Sequence, residues 1–186
     1  MAEPAAGFRY AVFLRGVNVG GVTLRMADVR DELTGLPVTE VATVLASGNV
    51  TCSSSLAPAD LKERIEEALR RRFGYEAWVI VVERADLVGI AAAVPEPPGP
   101  PGPPGGVHTY VTFFTGRAER DGFLGDAAAL AEQPTVLPGG TAISWFSPKG
   151  QSTEVPVAKL LARARYASTS TTRNINTVDK VLRLLA

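Results

Sequence analysis

A chain of 186 residues with 19 basic and 19 acidic side chains carries no net charge and allows one domain or two small halves. That balance argues against bulk nucleic-acid binding, where phosphate neutralisation normally demands a basic excess. A single histidine and a single cysteine exclude His-rich metal sites, thiolate clusters and a disulfide framework, so no metal or cofactor is expected.

The opening "MAEPAAGFRY" lacks the basic start and apolar stretch of a secretion signal, and no run reaches the ~18 apolar residues that cross a bilayer. The expectation is a cytoplasmic protein without a membrane partner, monomeric or weakly dimeric. Residues 8–15 alternate as a strand, with Phe8, Tyr10, Val12 and Leu14 on one face. Met26, Val29, Leu33 and Leu36 then recur at helical spacing until Gly35 and Pro37 stop the helix. Residues 39–46 predict a second strand, "SGN" (47–49) a tight turn, and 50–53 the returning strand. Pro58 opens a helix striped by Leu61, Ile65, Ala68, Leu69 and Phe73, and 75–82 predict a fourth strand. The order β-α-β-β-α-β is the split βαβ arrangement of ferredoxin-like folds.

A short helix over about 84–93 precedes "PEPPGPPGPPGG" (95–106), whose Pro and Gly content predicts an extended linker. Beyond it come a strand (107–115), a helix (118–131), a hairpin (134–138 with 141–146) turned at Gly139-Gly140, a helix through "PVAKLLARAR", and a last helix striped by Val178, Val181, Leu182 and Leu185. The fold class is therefore α+β, with a ferredoxin-like first half (1–94) packed against a looser α+β second half (107–186). The second half reads as a degenerate copy of the first, without a convincing sequence repeat.

Two stretches carry chemistry. "GVNVGG" (16–21) follows the first strand and Arg15, but it is neither G-x-G-x-x-G nor a P-loop, which also belong to parallel sheets. What remains is a glycine-rich connection in which Arg15, Asn18, Gly20 and Gly21 point at an anion, or in which the glycines simply allow an irregular loop. If the first and third strands are the antiparallel central pair, Ser47 and Asn49 fall at the same sheet end, and Arg15, Asn18, Ser47 and Asn49 converge. The second stretch, "TSTTRNINTVDK" (169–180), gathers Thr172, Arg173, Asn174 and Asn176 ahead of the last helix. One of Asn174 or Asn176 is expected as the N-cap. The rest form either an anion site or an interdomain clamp around Arg173, and the cluster joins the first only if the chain folds back.

In order and spacing, "LRGVNVGG", "MADVRDEL", "SGNV" and "TTRNINTV" resemble the recurring motifs of the domain of unknown function 1697 family. The resemblance spans nearly the whole chain and implies a bacterial cytoplasmic protein of this length without an established activity. It carries over Leu14, Arg15, Gly16, Asn18, Gly20, Gly21, Ser47, Gly48, Asn49, Thr172, Arg173, Asn174, Asn176 and Thr177. Ala46 and Ile175 depart from the family pattern, as does the proline-rich linker. Arg with Asn and Ser, and few acids or bases, points to a binding module for an anionic, phosphate-bearing small molecule or nucleic-acid end. The alternative is a transferase or hydrolase on a phosphorylated metabolite, for which His108 stands isolated and no carboxylate pair is evident. RNA recognition through the first sheet lacks its aromatics, because the third strand "NVTCS" has none.

Overall fold

The computed structural model describes residues 7–15, 24–74, 78–97 and 106–186. The chain divides into two units, Met1–Val88 with Asp179–Ala186, and Gly89–Val178. The last helix is shared between them, its final turns belonging to the first unit. The described parts of the Pro/Gly segment, residues 95–97 and Gly106, lie outside helices and strands.

In the first unit, β1 (Phe8–Arg15), α1 (Met26–Leu33), β2 (Thr39–Val44), β3 (Asn49–Ser54), α2 (Pro58–Phe73) and β4 (Trp78–Glu83) follow one another as the hydrophobic pattern predicts. The sheet runs β2-β3-β1-β4 with every neighbour antiparallel, so β1 and β3 form the central pair. Strand alternation sends Tyr10, Val12, Leu14, Val50, Cys52 and Val79 to one face. There they meet Val29 and Leu33 of α1 and Leu61, Ile65 and Leu69 of α2 in one core. Each such side chain, fully buried, stabilises the fold by about 1.5–3 kcal/mol. Ala11 and Phe13, on the opposite face, are equally buried, as expected for a sheet covered on both sides.

Polar contacts fix the elements around that core. Gly74 ends α2 in left-handed backbone (φ 66°), and its N–H returns to the Arg70 carbonyl at 2.9 Å. Glu66 binds Lys62 at 2.7 Å and accepts the Val79 backbone N–H at 2.9 Å, tying α2 to the start of β4. Arg9 donates to the Ala186 and Leu184 carbonyls at 2.7 and 3.0 Å, satisfying acceptors that the end of a helix leaves without partners.

The second unit repeats this topology. After α3 (Arg84–Ala92) come β5 (Val107–Phe114), α4 (Arg117–Ala127), β6 (Thr135–Val136), β7 (Ala142–Pro148), α5 (Pro156–Leu161), α6 (Ala164–Ala167), β8 (Ser170–Asn174) and α7 (Ile175–Leu184). The sheet order β6-β7-β5-β8 matches β2-β3-β1-β4 term for term. Even the bond at the strand end recurs: Leu14 N–H reaches the Gly48 carbonyl at 2.8 Å, and Phe114 N–H reaches Thr141 at 2.8 Å. Phe114, Phe123, Ile143, Trp145, Leu160 and Tyr166 build its core.

Three sequence expectations change. The helix expected to run to 131 stops at Ala127, because the Gln133 amide donates to the carbonyls of Ala127, Ala128 and Leu130 at 3.2, 2.9 and 3.0 Å and so caps the end. The helix through "PVAKLLARAR" breaks into α5 and α6 at extended Arg163. The break turns Tyr166 inward, where its hydroxyl donates to Gly122 and Asp126 of α4; this tertiary gain outweighs alanine-rich propensity. The polar run read as leading into the last helix contains β8, an edge strand beside β5.

Cys52 is 2% exposed, and burial pushes its thiol from 9.0 up to about 11. Between those values the folded chain holds a proton that the unfolded chain releases, so stability falls as pH rises from about 9 to about 11, by about 2–3 kcal/mol. Urea denaturation near pH 8 and near pH 11 checks this: wild type should lose that much more than Cys52→Ala, and equal losses would contradict it.

Candidate functional site

Arg15 closes β1 and stands directly opposite Trp78 on β4. Its guanidinium carbon lies 5.3 Å from the indole centroid, a cation–π contact across the strand pair. Partial burial lowers its pKa from the ordinary arginine value through desolvation. By alternation, Arg15 shares a face with Ala11 and Phe13 and turns away from the helix-covered core. On the other side of β1 the hairpin turn adjoins the same strand end, through the Leu14–Gly48 bond.

That turn is held by Asn49, which is 0% exposed. Its amide donates to the Val44 carbonyl and to Ser47 Oγ, both at 2.9 Å, bridging the two arms of the hairpin. Gly48 takes the left-handed backbone that the turn requires (φ 76°). Ser47 is exposed, and because its oxygen accepts from Asn49 its own hydrogen can be donated outward. Phe13 stands opposite Asn49 and Leu14 bonds to Gly48, so the end of β1 and the hairpin adjoin. Asn18, Gly20 and Gly21 lie outside the described residues.

The second cluster sits on β8 and the first turn of α7. Thr172 shares a 2.8 Å hydrogen bond with Thr112, which also accepts the Trp145 indole N–H at 2.9 Å. Arg173, 8% exposed, donates to Thr171 Oγ1 at 2.7 Å and to the Thr172 carbonyl at 2.9 Å, and burial pushes its pKa down to about 10. Asn174 is the N-cap: its side-chain oxygen accepts the Asn176 N–H at 2.9 Å. Asn176 itself is exposed. Much of this cluster's polarity is therefore spent on its own strand and helix.

The described residues hold no group of three or more His, Cys, Asp or Glu placed for a metal ion. His108 is half-buried on β5, opposite Ser147 and 6.3 Å from the Tyr110 ring. Trp78 is the site residue that sequence reasoning missed. Its signal was available in the topology, since the first and last strands of a β-α-β-β-α-β unit pair antiparallel and set residue 15 against the start of β4.

A family model described as "Protein of unknown function (DUF1697)" matches residues 8–140, a span that contains the first three motifs and stops short of "TTRNINTV". No curated protein matches the chain. Among solved structures, the conserved bacterial protein SP0830 from Streptococcus pneumoniae is similar, with a TM-score of 0.78 and 23% identity over 97% of this chain and 100% of that one. At that identity the likeness speaks to the fold alone. No helix among the described residues is long and apolar enough to cross a membrane.

The hydrogen bonds rank the polar residues by structural cost. Asn49→Ala should lose about 2 kcal/mol, because it removes one buried and one part-buried bond of a buried amide. Asn174→Ala should lose about 1 kcal/mol as a cap. Chemical denaturation of the two variants tests the order, and an Asn49→Ala protein as stable as wild type would refute the role given to that side chain.

Proposed function

The chain belongs to the DUF1697 family, and on that footing we propose that the protein is a binding module for an anionic, phosphate-bearing small molecule, with Arg15 as the group that takes the phosphate. One observation carries this reading. Arg15 is a partly desolvated cation held against Trp78 at a strand end, and among the described residues it makes no ion pair. Desolvating a guanidinium is costly unless an anion answers it, and its planar fork of donors suits phosphate oxygens. The exposed Ser47 hydroxyl beside the same strand end adds a neutral donor. Asn18, Gly20 and Gly21, which the sequence reading joins to this site, lie outside the described residues. Asn49 serves by shaping the turn. Thr172, Arg173, Asn174 and Asn176 serve the second unit's fold.

Thermal unfolding with inorganic phosphate, pyrophosphate and ribose phosphate tests the proposal. A probe at about a hundred times its Kd should add about 2.7 kcal/mol, or about 5–10 °C in a chain of this size. Arg15→Ala should unfold within a few degrees of wild type and respond to none of the probes. No response in wild type, or the same response in Arg15→Ala, would end this reading.

A further inference from the structure

We infer that the ligand of the Arg15 site carries a planar heteroaromatic ring on its phosphate, placing it in the nucleotide class. The inference rests on the reading of Arg15 as the phosphate partner and adds a role for Trp78.

Across the end of the first sheet the order is the hairpin turn, then Arg15, then Trp78. Neighbouring strands are about 4.8 Å apart, so a phosphate on Arg15 lies about one strand spacing from the indole. Trp78 begins an edge strand and is only half-buried. Its cross-strand partner is Arg15 itself, so ring and cation share one sheet face. The guanidinium contact covers part of the indole and steadies the cation. A half-buried indole beside a positive charge suits a ring attached to a phosphate better than a free inorganic ion. Every nucleobase has a π-face, so such a surface selects for a base without choosing among bases.

Affinities of the full chain for AMP, ribose phosphate and adenosine, measured by calorimetry, test this. AMP should bind about tenfold more tightly than ribose phosphate, the gain expected of one stacked base. Trp78→Leu should bring AMP down to the level of ribose phosphate, costing AMP more than it costs ribose phosphate, while Trp78→Phe should keep most of the preference. Equal affinities of AMP and ribose phosphate in wild type would overturn the inference without any variant, and so would an equal loss of both in Trp78→Leu. In either case ribose phosphate binding that disappears in Arg15→Ala leaves the anion site standing. Adenosine binding as tightly as AMP, or failure of every phosphate-bearing probe to bind, would sink both.

Discussion

Antiparallel pairing of the first strand on both of its edges organises each unit. β1 is bonded to β3 on one side and β4 on the other, and both of its faces are buried. A strand enclosed this way has no freedom of register, since a slip of one residue would move Tyr10, Val12 and Leu14 out of the helix-covered core. The fixed register brings Gly48 against Leu14 and Trp78 against Arg15. The candidate site is a consequence of that register. β5 stands in the same relation to β7 and β8 in the second unit, with Phe114 and Thr141 in the places of Leu14 and Gly48.

The shared topology makes the contrast between the two arginines informative. Each lies on the sheet face away from the helix-packed core of its own unit, and each has its pKa lowered by desolvation. Arg15 ends a central strand and meets an aromatic ring. Arg173 lies within an edge strand and donates to the hydroxyl and carbonyl of the two residues before it. Desolvation alone therefore does not tell the two apart; their described contacts differ, an aromatic ring for Arg15 and neighbouring strand groups for Arg173.

The sequence reveals the order of described elements in the first unit, because its apolar stripes are long and its stop signals, Gly35 and Pro37, are local. It reveals less where tertiary partners decide. Nothing within 118–131 announces that Gln133 caps α4, and nothing in "PVAKLLARAR" announces the hydroxyl contacts that turn Tyr166 inward. β8 escapes notice because Ser-Thr-Thr-Arg-Asn reads as a polar loop, although two of its five residues are β-branched and the repeated topology requires a fourth strand there. In the candidate site, Arg15 and the hairpin turn were legible from strand order. The task of Asn49 inside the turn and the place of Trp78 follow from register, which hydropathy does not encode.

The central claim is that Arg15 is kept for a ligand while Arg173 is kept for the fold. Urea denaturation of Arg15→Ala and Arg173→Ala, side by side with wild type and without ligand, tests it most directly. The account predicts a loss below about 1 kcal/mol for Arg15→Ala, the scale of a partly exposed cation–π contact. It predicts about 2–4 kcal/mol for Arg173→Ala, which removes buried bonds from a charged donor. Equal losses, or the larger loss in Arg15→Ala, would contradict it.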